Sequence, residues 1–237
     1  MPKLPEVETI KRDLEPLEGT RIRSVTVHDD KLVAGTGSFE ADVTGCSIES
    51  FQRRGKYLLA RGHGAFLLFS LRMTGTLTLS EPSNPPERRV DFNLGERTVY
   101  FTTVRRFSRV HYYEEENPDA VDKISKLGVE PLNGDFSSGY LEESFSNRTA
   151  AVKSLLMNQE IIAGIGNIYA NEICFEAGVD PSKSVTDVTG QELKSIVRAT
   201  PTVLQKAIES RGSSISDYNR PEGDDGRFQD EFMVYGR

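Results

Sequence analysis

Pro2 carries a ring nitrogen that becomes a free secondary amine once Met1 is removed, a nucleophile that no internal residue supplies. Such an amine adds to the masked aldehyde of a sugar, and the resulting iminium withdraws electrons so that neighbouring C–H and C–O bonds break. The octapeptide Met1 to Glu8, taken alone, serves equally well as a stiff Pro-rich chain end. A second group is the run QEIIAGIGNIYANE from Gln159 to Glu172, where Gly164 and Gly166 precede an amphipathic stretch. Glycines there let the backbone approach a partner, and a helix start offers free N–H groups to an anion such as phosphate. The alternative is a tight turn between packed helices. Asn167, read as a side chain at the helix N-cap, and Lys153 one helix earlier favour the anion.

The elements that must position these groups change character midway. From Arg21 to Tyr113 short β-rich runs recur (Ile22 to Val27, Cys46 to Phe51, Tyr57 to Ala60, Ala65 to Leu71, Thr76 to Leu79, Val90 to Leu94, Thr98 to Phe101, Phe107 to Tyr113), separated by Gly, Pro and charged turns. They predict a β-sandwich. Before them Val7, Ile10, Leu14 and Leu17 fall at helical spacing, which predicts a helix after a strand-like N-terminal tip. After Glu114-Glu115-Glu116 and Pro118 the pattern is helical: Tyr140 to Ser146, Ala150 to Met157, Ile168 to Glu176 and Gly190 to Ser210. The fold class is therefore α+β: an N-terminal helix and β-sandwich at 1–113, a linker at 114–132 and a helical domain at 133–237. The Gly-rich polar stretch 212–227 reads as a mobile loop.

Composition narrows the function classes. The 237-residue chain has 37% hydrophobic and 27% charged residues, and no apolar run approaches the roughly 18 residues of a membrane span. No export signal precedes the first helix, so a cytoplasmic protein is expected. Cys46 and Cys174 are too few for a disulfide framework or a four-ligand zinc site and read as buried small hydrophobes. A net charge of −7 opposes generic polyanion binding. Clustering of the cations at Arg53-Arg54-Lys56, Arg88-Arg89 and Arg105-Arg106-Arg109 still allows one DNA-binding face.

These motifs carry a family resemblance. MPKLPEVETI at 1–10 resembles the MPELPEVE terminus of the formamidopyrimidine-DNA glycosylase family, RRGKYLL at 53–59 its lysine strand, and AGIGNIYANE at 163–172 its helix-two-turn-helix. VRRFSRV at 104–110 and FQDEFMVYGR at 228–237 are similar to further family stretches in the same order. Leu4 favours the formamidopyrimidine branch over the endonuclease VIII branch.

The resemblance implies a base-excision repair enzyme that binds duplex DNA containing oxidised purines (8-oxoguanine, formamidopyrimidines) or abasic sites, acting as a monomer. Pro2 would attack C1′ and form the Schiff base, with strand scission by β,δ-elimination. Lys56 would neutralise a phosphate beside the lesion and assist proton transfer. Met73, Arg105 and Phe107 would fill the void left by a flipped nucleotide. Arg148, Lys153 and Asn167 would hold backbone phosphates. Glu6 would orient the amine or cap the first helix.

Three departures bear on activity. Lys3 stands where the family carries a glutamate that takes part in excision, and an ammonium does not replace a carboxylate that exchanges protons. The family's C-terminal zinc finger has no counterpart cysteines here, so no metal or other cofactor is expected. Ser70, Arg72, Thr103, Val104 and Asn158 also differ from the usual residues. Three readings follow: a bifunctional glycosylase and abasic-site lyase with impaired excision, a lyase only, or a catalytically degenerate protein that binds damaged DNA.

Overall fold

The computed structural model describes residues 2–35, 37–82, 84, 87–213 and 226–236. Met1 and most of the 212–227 loop lie outside the described residues.

Helix α1 (Leu4–Leu14) starts three residues before Val7 and leaves no strand-like tip, and it ends at Leu14, with Leu17 in a following 3-10 turn (Glu15–Leu17). Pro5 sits in its first turn, where a missing N–H is harmless, and Glu6 at the third helical position accepts the Lys3 backbone N–H at 2.8 Å. Its buried side chains divide between two cores. Val7, Ile10 and Leu14 enter the β core, whereas Leu4 enters the helical one.

The β part is the expected sandwich. One sheet orders β1 (Ser24–Val27), β7 (Arg88–Asn93), β8 (Thr98–Thr102) and β6 (Thr76–Thr78). The other orders β2 (Val33–Ala34), β9 (Arg109–Tyr113), β5 (Ala65–Ser70), β4 (Tyr57–Gly62) and β3 (Ser50–Arg54). All pairs are antiparallel except β2 with β9. The two-residue strand β2 and the short helix α2 (Phe39–Val43) have no counterpart in the sequence reading, being too short for a period to register. Phe69 of β5 meets Phe92 and Phe101 edge-on at 5.8 and 6.0 Å, closing the inter-sheet core.

The five-stranded sheet is buried on both faces. Leu58, Phe69 and Val110 point between the sheets, and Leu59, Phe66 and Leu68 point outward beneath Ile124. That residue belongs to α3 (Asp122–Ser125) in the connecting segment, which therefore packs on the sheet. Helices α4 (Ser138–Phe145), α5 (Val152–Leu156), α6 (Asn167–Ala177) and α7 (Gly190–Glu209) follow, each within three residues of its sequence-predicted ends. The α7 start is a capping box between Thr189 and Glu192, and Gly178 ends α6 in the left-handed region.

The two parts are joined where small residues allow it. Gly164 has φ +92°, and a Cβ there would lie 2.7 Å from Leu4 Cβ; the Leu4 N–H donates to the Gly164 carbonyl at 3.1 Å. Both the positive φ and the contact forbid a side chain. Gly164→Ala is expected to destabilise the fold by about 1–3 kcal/mol, or about 2–4 °C in Tm per kcal/mol for a chain of this size. Calorimetry reads this, with Gly139→Ala, where a Cβ meets nothing within 4 Å, as the neutral control.

Candidate active site

Lys56 is placed by a hairpin turn. Gly55 and Lys56 connect Arg54 to Tyr57, and Gly55 has φ +55° at the first turn position, where two-residue hairpins favour glycine. A Cβ on Gly55 would meet Ala163 at 3.2 Å, so the turn abuts the helical part directly. Pro2, Lys56, Tyr57, Ser70 and Arg72 then line one cavity of about 150 Å³, closed from the other side by Leu127 and Gln159. Gln159 is itself held: its amide donates to the Met157 and Ile165 carbonyls at 2.7 and 2.9 Å and its oxygen accepts from the Gly164 N–H at 3.0 Å. Gln159 did not stand out as a site residue although it lies within a quoted motif, and Arg72 entered only as a departure from the family's usual residue.

Glu6 is buried and joins three segments. Oε2 accepts from the Lys3 backbone; Oε1 accepts from the Tyr169 hydroxyl of α6 and from the Ser213 N–H and hydroxyl at 3.0 and 3.1 Å. The contact with the Lys3 N–H is the capping contact of α1, made at the residue next to Pro2. Tyr169 was not foreseen; it is fully buried and stacks on Phe228 at 5.7 Å.

The Lys3 side chain is buried against the N-cap of α6. A Cβ on Gly166 would lie 2.5 Å from Lys3 Cε, so the lysine stem fills the space that glycine leaves. Burial holds the Lys3 ammonium below its ordinary value, with Glu6 opposing; the positive end of α6 is also the unfavourable place for a cation. Gly166, rather than Asn167, is the N-cap, because Asn167 already has helical geometry and its side chain is exposed. Lys56 is pushed down to about 8, first by burial, then by Lys3 and Arg72, with Glu6 opposing.

The basic clusters of the sequence separate into two kinds. Arg53 pairs with Glu8 at 3.0 Å and Glu130 at 2.7 Å, and Arg54 with Glu130 at 3.1 Å, so these two brace the hairpin and do not extend a positive face. Arg88 pairs with Asp91 and Glu81, and Arg106 with Asp29. Arg89 is buried and donates twice to the Thr103 carbonyl. That bond supports the loop between β8 and β9, whose base is tied by Ser108 to Leu71 at 2.6 Å and by Thr74 to Thr103 at 3.0 Å.

On this base Met73, Val104, Arg105 and Phe107 are exposed, Phe107 to 61%. The Arg105 guanidinium contacts Met73 Sδ at 3.9 Å, so the sequence-predicted trio includes one pair that touches. Arg148 is exposed at the end of α4, its Nε donating to the Ser144 carbonyl at 3.0 Å; Lys153 is half-buried on α5. Cys174 is buried, but Cys46 is only half-buried, its thiol donating to the Asp42 carbonyl at 3.3 Å.

A two-sheet lobe and a helix-two-turn-helix lobe, meeting at a cavity lined by an N-terminal proline and a lysine, define the class of DNA glycosylases of base-excision repair. Sequence profiles for the formamidopyrimidine-DNA glycosylase N-terminal domain and H2TH domain match residues 1–110 and 127–219, and the chain belongs to this family. The formamidopyrimidine-DNA glycosylases of Streptococcus mutans and Desulfitobacterium hafniense are 38% and 36% identical over the whole chain, which spans 89% of each. The MutM (Fpg) crystal structure from Thermus thermophilus superposes with a TM-score of 0.89 at 35% identity, covering 100% of this chain and 88% of that one. A Lactococcus lactis FPG mutant bound to Fapy-dG containing DNA gives 0.89 at 30%, covering 99% and 88%. Among the described residues no helix is long and apolar enough to cross a membrane.

Because the folded pKa of Lys56 lies near 8, below its ordinary 10.5, the folded state binds fewer protons across that window and this group's contribution to stability rises with pH there. Reductive methylation mapped by mass spectrometry is expected to modify Lys56 with a midpoint near pH 8. Lys3→Met removes a repelling cation and is expected to raise that midpoint; an unchanged midpoint would show that the two amines do not interact.

Proposed function

We propose that this protein is a bifunctional DNA glycosylase and abasic-site lyase for oxidised purines, with the lyase step stronger than excision. The observation that carries the reading is the shared cavity of Pro2 and Lys56, bordered by Arg72 and followed in the chain by the exposed Met73. With Met1 removed, the Pro2 nitrogen bonds to C1′ while the glycosidic bond breaks and its electron pair leaves with the base. The nitrogen then loses its proton and its lone pair opens the C1′–O4′ bond, whose oxygen takes up a proton, leaving the ring-opened iminium. Removal of a C2′ proton then expels the 3′ phosphate, a second elimination expels the 5′ phosphate, and water releases the sugar remnant from Pro2.

Lys56 serves this sequence in two ways. Its ammonium neutralises a phosphate beside the lesion, and a pKa near 8 suits proton transfer at neutral pH. Met73, Arg105 and Phe107 enter the stack where the nucleotide leaves, restoring contacts whose loss costs a few kcal/mol. Exposed Arg148 and Asn167 and half-buried Lys153 position the backbone. The division into a catalytic part at 1–113, a connecting segment and a helical DNA-binding part belongs to the same proposal, as does function without zinc or another cofactor.

Lys3 distinguishes the two steps. A buried ammonium neither accepts the proton nor balances the developing cation that a carboxylate would, so excision is slowed by about 10²–10⁴, the usual worth of a general acid or base. Opening an abasic site needs no such help, because its aldehyde is already accessible. Fapy-dG containing DNA, named for one Lactococcus lactis structure, is a substrate class to test, and THF-DNA, named for another, is a binding analogue because its sugar has no C1′ aldehyde.

Borohydride trapping on an abasic duplex and an 8-oxoguanine duplex is expected to give a strong adduct on the first and a weak one on the second. Adduct on neither would leave a DNA-binding protein without chemistry, and adduct formation with Met1 retained would remove Pro2 from the mechanism. Lys3→Glu is expected to raise 8-oxoguanine excision by about 10²–10⁴ while changing lyase activity less than tenfold. Robust excision by the wild type, unchanged by Lys3→Glu, would sink the role given to this lysine.

A further inference from the structure

We propose that Arg72, Arg109 and Lys123 form a row that binds successive phosphates of the DNA backbone, carrying the duplex from the Pro2 cavity over the connecting segment. The proposal rests on the DNA-binding reading above and adds a surface outside the cavity. Sheet register defines the row. Tyr57, Ser70 and Arg109 are cross-strand partners on β4, β5 and β9, and the first two line the cavity. Arg109 thus stands beside the cavity wall. Two residues further along β9, about 7 Å by strand rise, His111 receives the Lys123 ammonium of α3 at 2.7 Å. Arg72, exposed and two residues beyond Ser70, completes the line on the cavity side.

The charges in this row are uncompensated, unlike those of Arg53, Arg54, Arg88 and Arg106. Every ion pair of the neighbouring clusters, Arg53, Arg54, Arg88 and Arg106, engages a carboxylate, whereas among the described residues none of Arg72, Arg109 and Lys123 lies in such a pair. Arg109 spends one nitrogen on the Arg106 and Ser108 carbonyls at 2.8 and 2.7 Å, which orients the guanidinium without neutralising it. His111 brings no negative charge: burial first, then Lys123 and Arg109, push it down to about 4, so its ring is neutral and accepts from Lys123. Burial, Arg72 and Arg109 in turn hold Lys123 below its ordinary value. An anion relieves this mutual repulsion. Because the cations are strung along strand and helix rather than gathered into a cup, a polyanion fits better than a single ion.

The test is the salt dependence of binding by the full chain, measured by anisotropy on an abasic-analogue duplex and on its undamaged counterpart. Lys123→Gln is expected to weaken both equally and to reduce the slope of log K against log salt by about 0.9, the loss of one phosphate contact. Lys123→Arg is expected to keep the slope, and Arg109→Gln to reproduce the loss, so a folding defect in one variant does not decide the outcome. Borohydride adduct at saturating abasic duplex is expected to be unchanged in Lys123→Gln. An unchanged slope in both Gln variants overturns the row, as does weakening confined to the damaged duplex. So does stabilisation by inorganic phosphate that Lys123→Gln removes without changing the slope, which would mark a free-anion site. A wild type that binds DNA with the expected slope changes but never traps would leave the row standing and overturn the catalytic reading instead.

Discussion

The Glu6 carboxylate is the constraint on which the arrangement depends. It is buried, and its two oxygens accept four donors from the N-terminus, α6 and the segment after α7. A buried carboxylate is tolerable only when its lone pairs are met, and its loss would strand a hydroxyl and backbone N–H groups together. The same side chain ties the residue after Pro2 to α6 and to the segment after α7. The place of Pro2 is therefore set by a polar knot, not by the Pro-rich sequence around it.

Apolar packing acts in the same direction. Helix α1 sends Leu4 into one core and Val7, Ile10 and Leu14 into the other, so each core is incomplete without it. Gly55, Gly164 and Gly166 sit where the parts meet, each with a neighbour that would crowd a Cβ. Close approach of backbones brings the lysine hairpin, the N-terminus and the start of α6 to one cavity. The glycine pair before α6, which read as a phosphate cradle, is occupied here by Leu4 and Lys3.

Much of this was legible in the sequence because it rests on local periods. Alternating strands and the 3.6-residue spacing of α1 and α7 located nearly every element, and two of the quoted motifs contain Pro2 and Lys56, which line one cavity. What escaped is non-local. The partners of Arg53 and Arg54 are Glu8 and Glu130, 45 and 76 residues away for the bonds they make, and no window reveals that an Arg-Arg pair is already neutralised. Tyr169 resembled any core aromatic until its hydroxyl met a carboxylate 163 positions earlier. Asn167 was misplaced by one residue: the N-cap is Gly166, with extended backbone and no side-chain cap, where the absence of a Cβ leaves room for the Lys3 stem.

Pairing also decides what the net charge means. A chain at −7 repels a polyanion at long range, yet the field close to a cleft is set by which cations lack a partner. Arg53, Arg54, Arg88 and Arg106 are spent on carboxylates, whereas Lys56 and Arg72 line the cavity and Lys3 presses on Lys56 from below. Bringing ammonium groups together in a partly dry site is unfavourable on its own, and it lowers Lys56 toward neutral pH. A phosphate entering the cleft reverses both effects, restoring the charged form while gaining the attraction of each cation. Under the proposed function, the lysine at the place of a catalytic carboxylate trades proton exchange for hold on the backbone, the balance a lyase needs more than an excising glycosylase does.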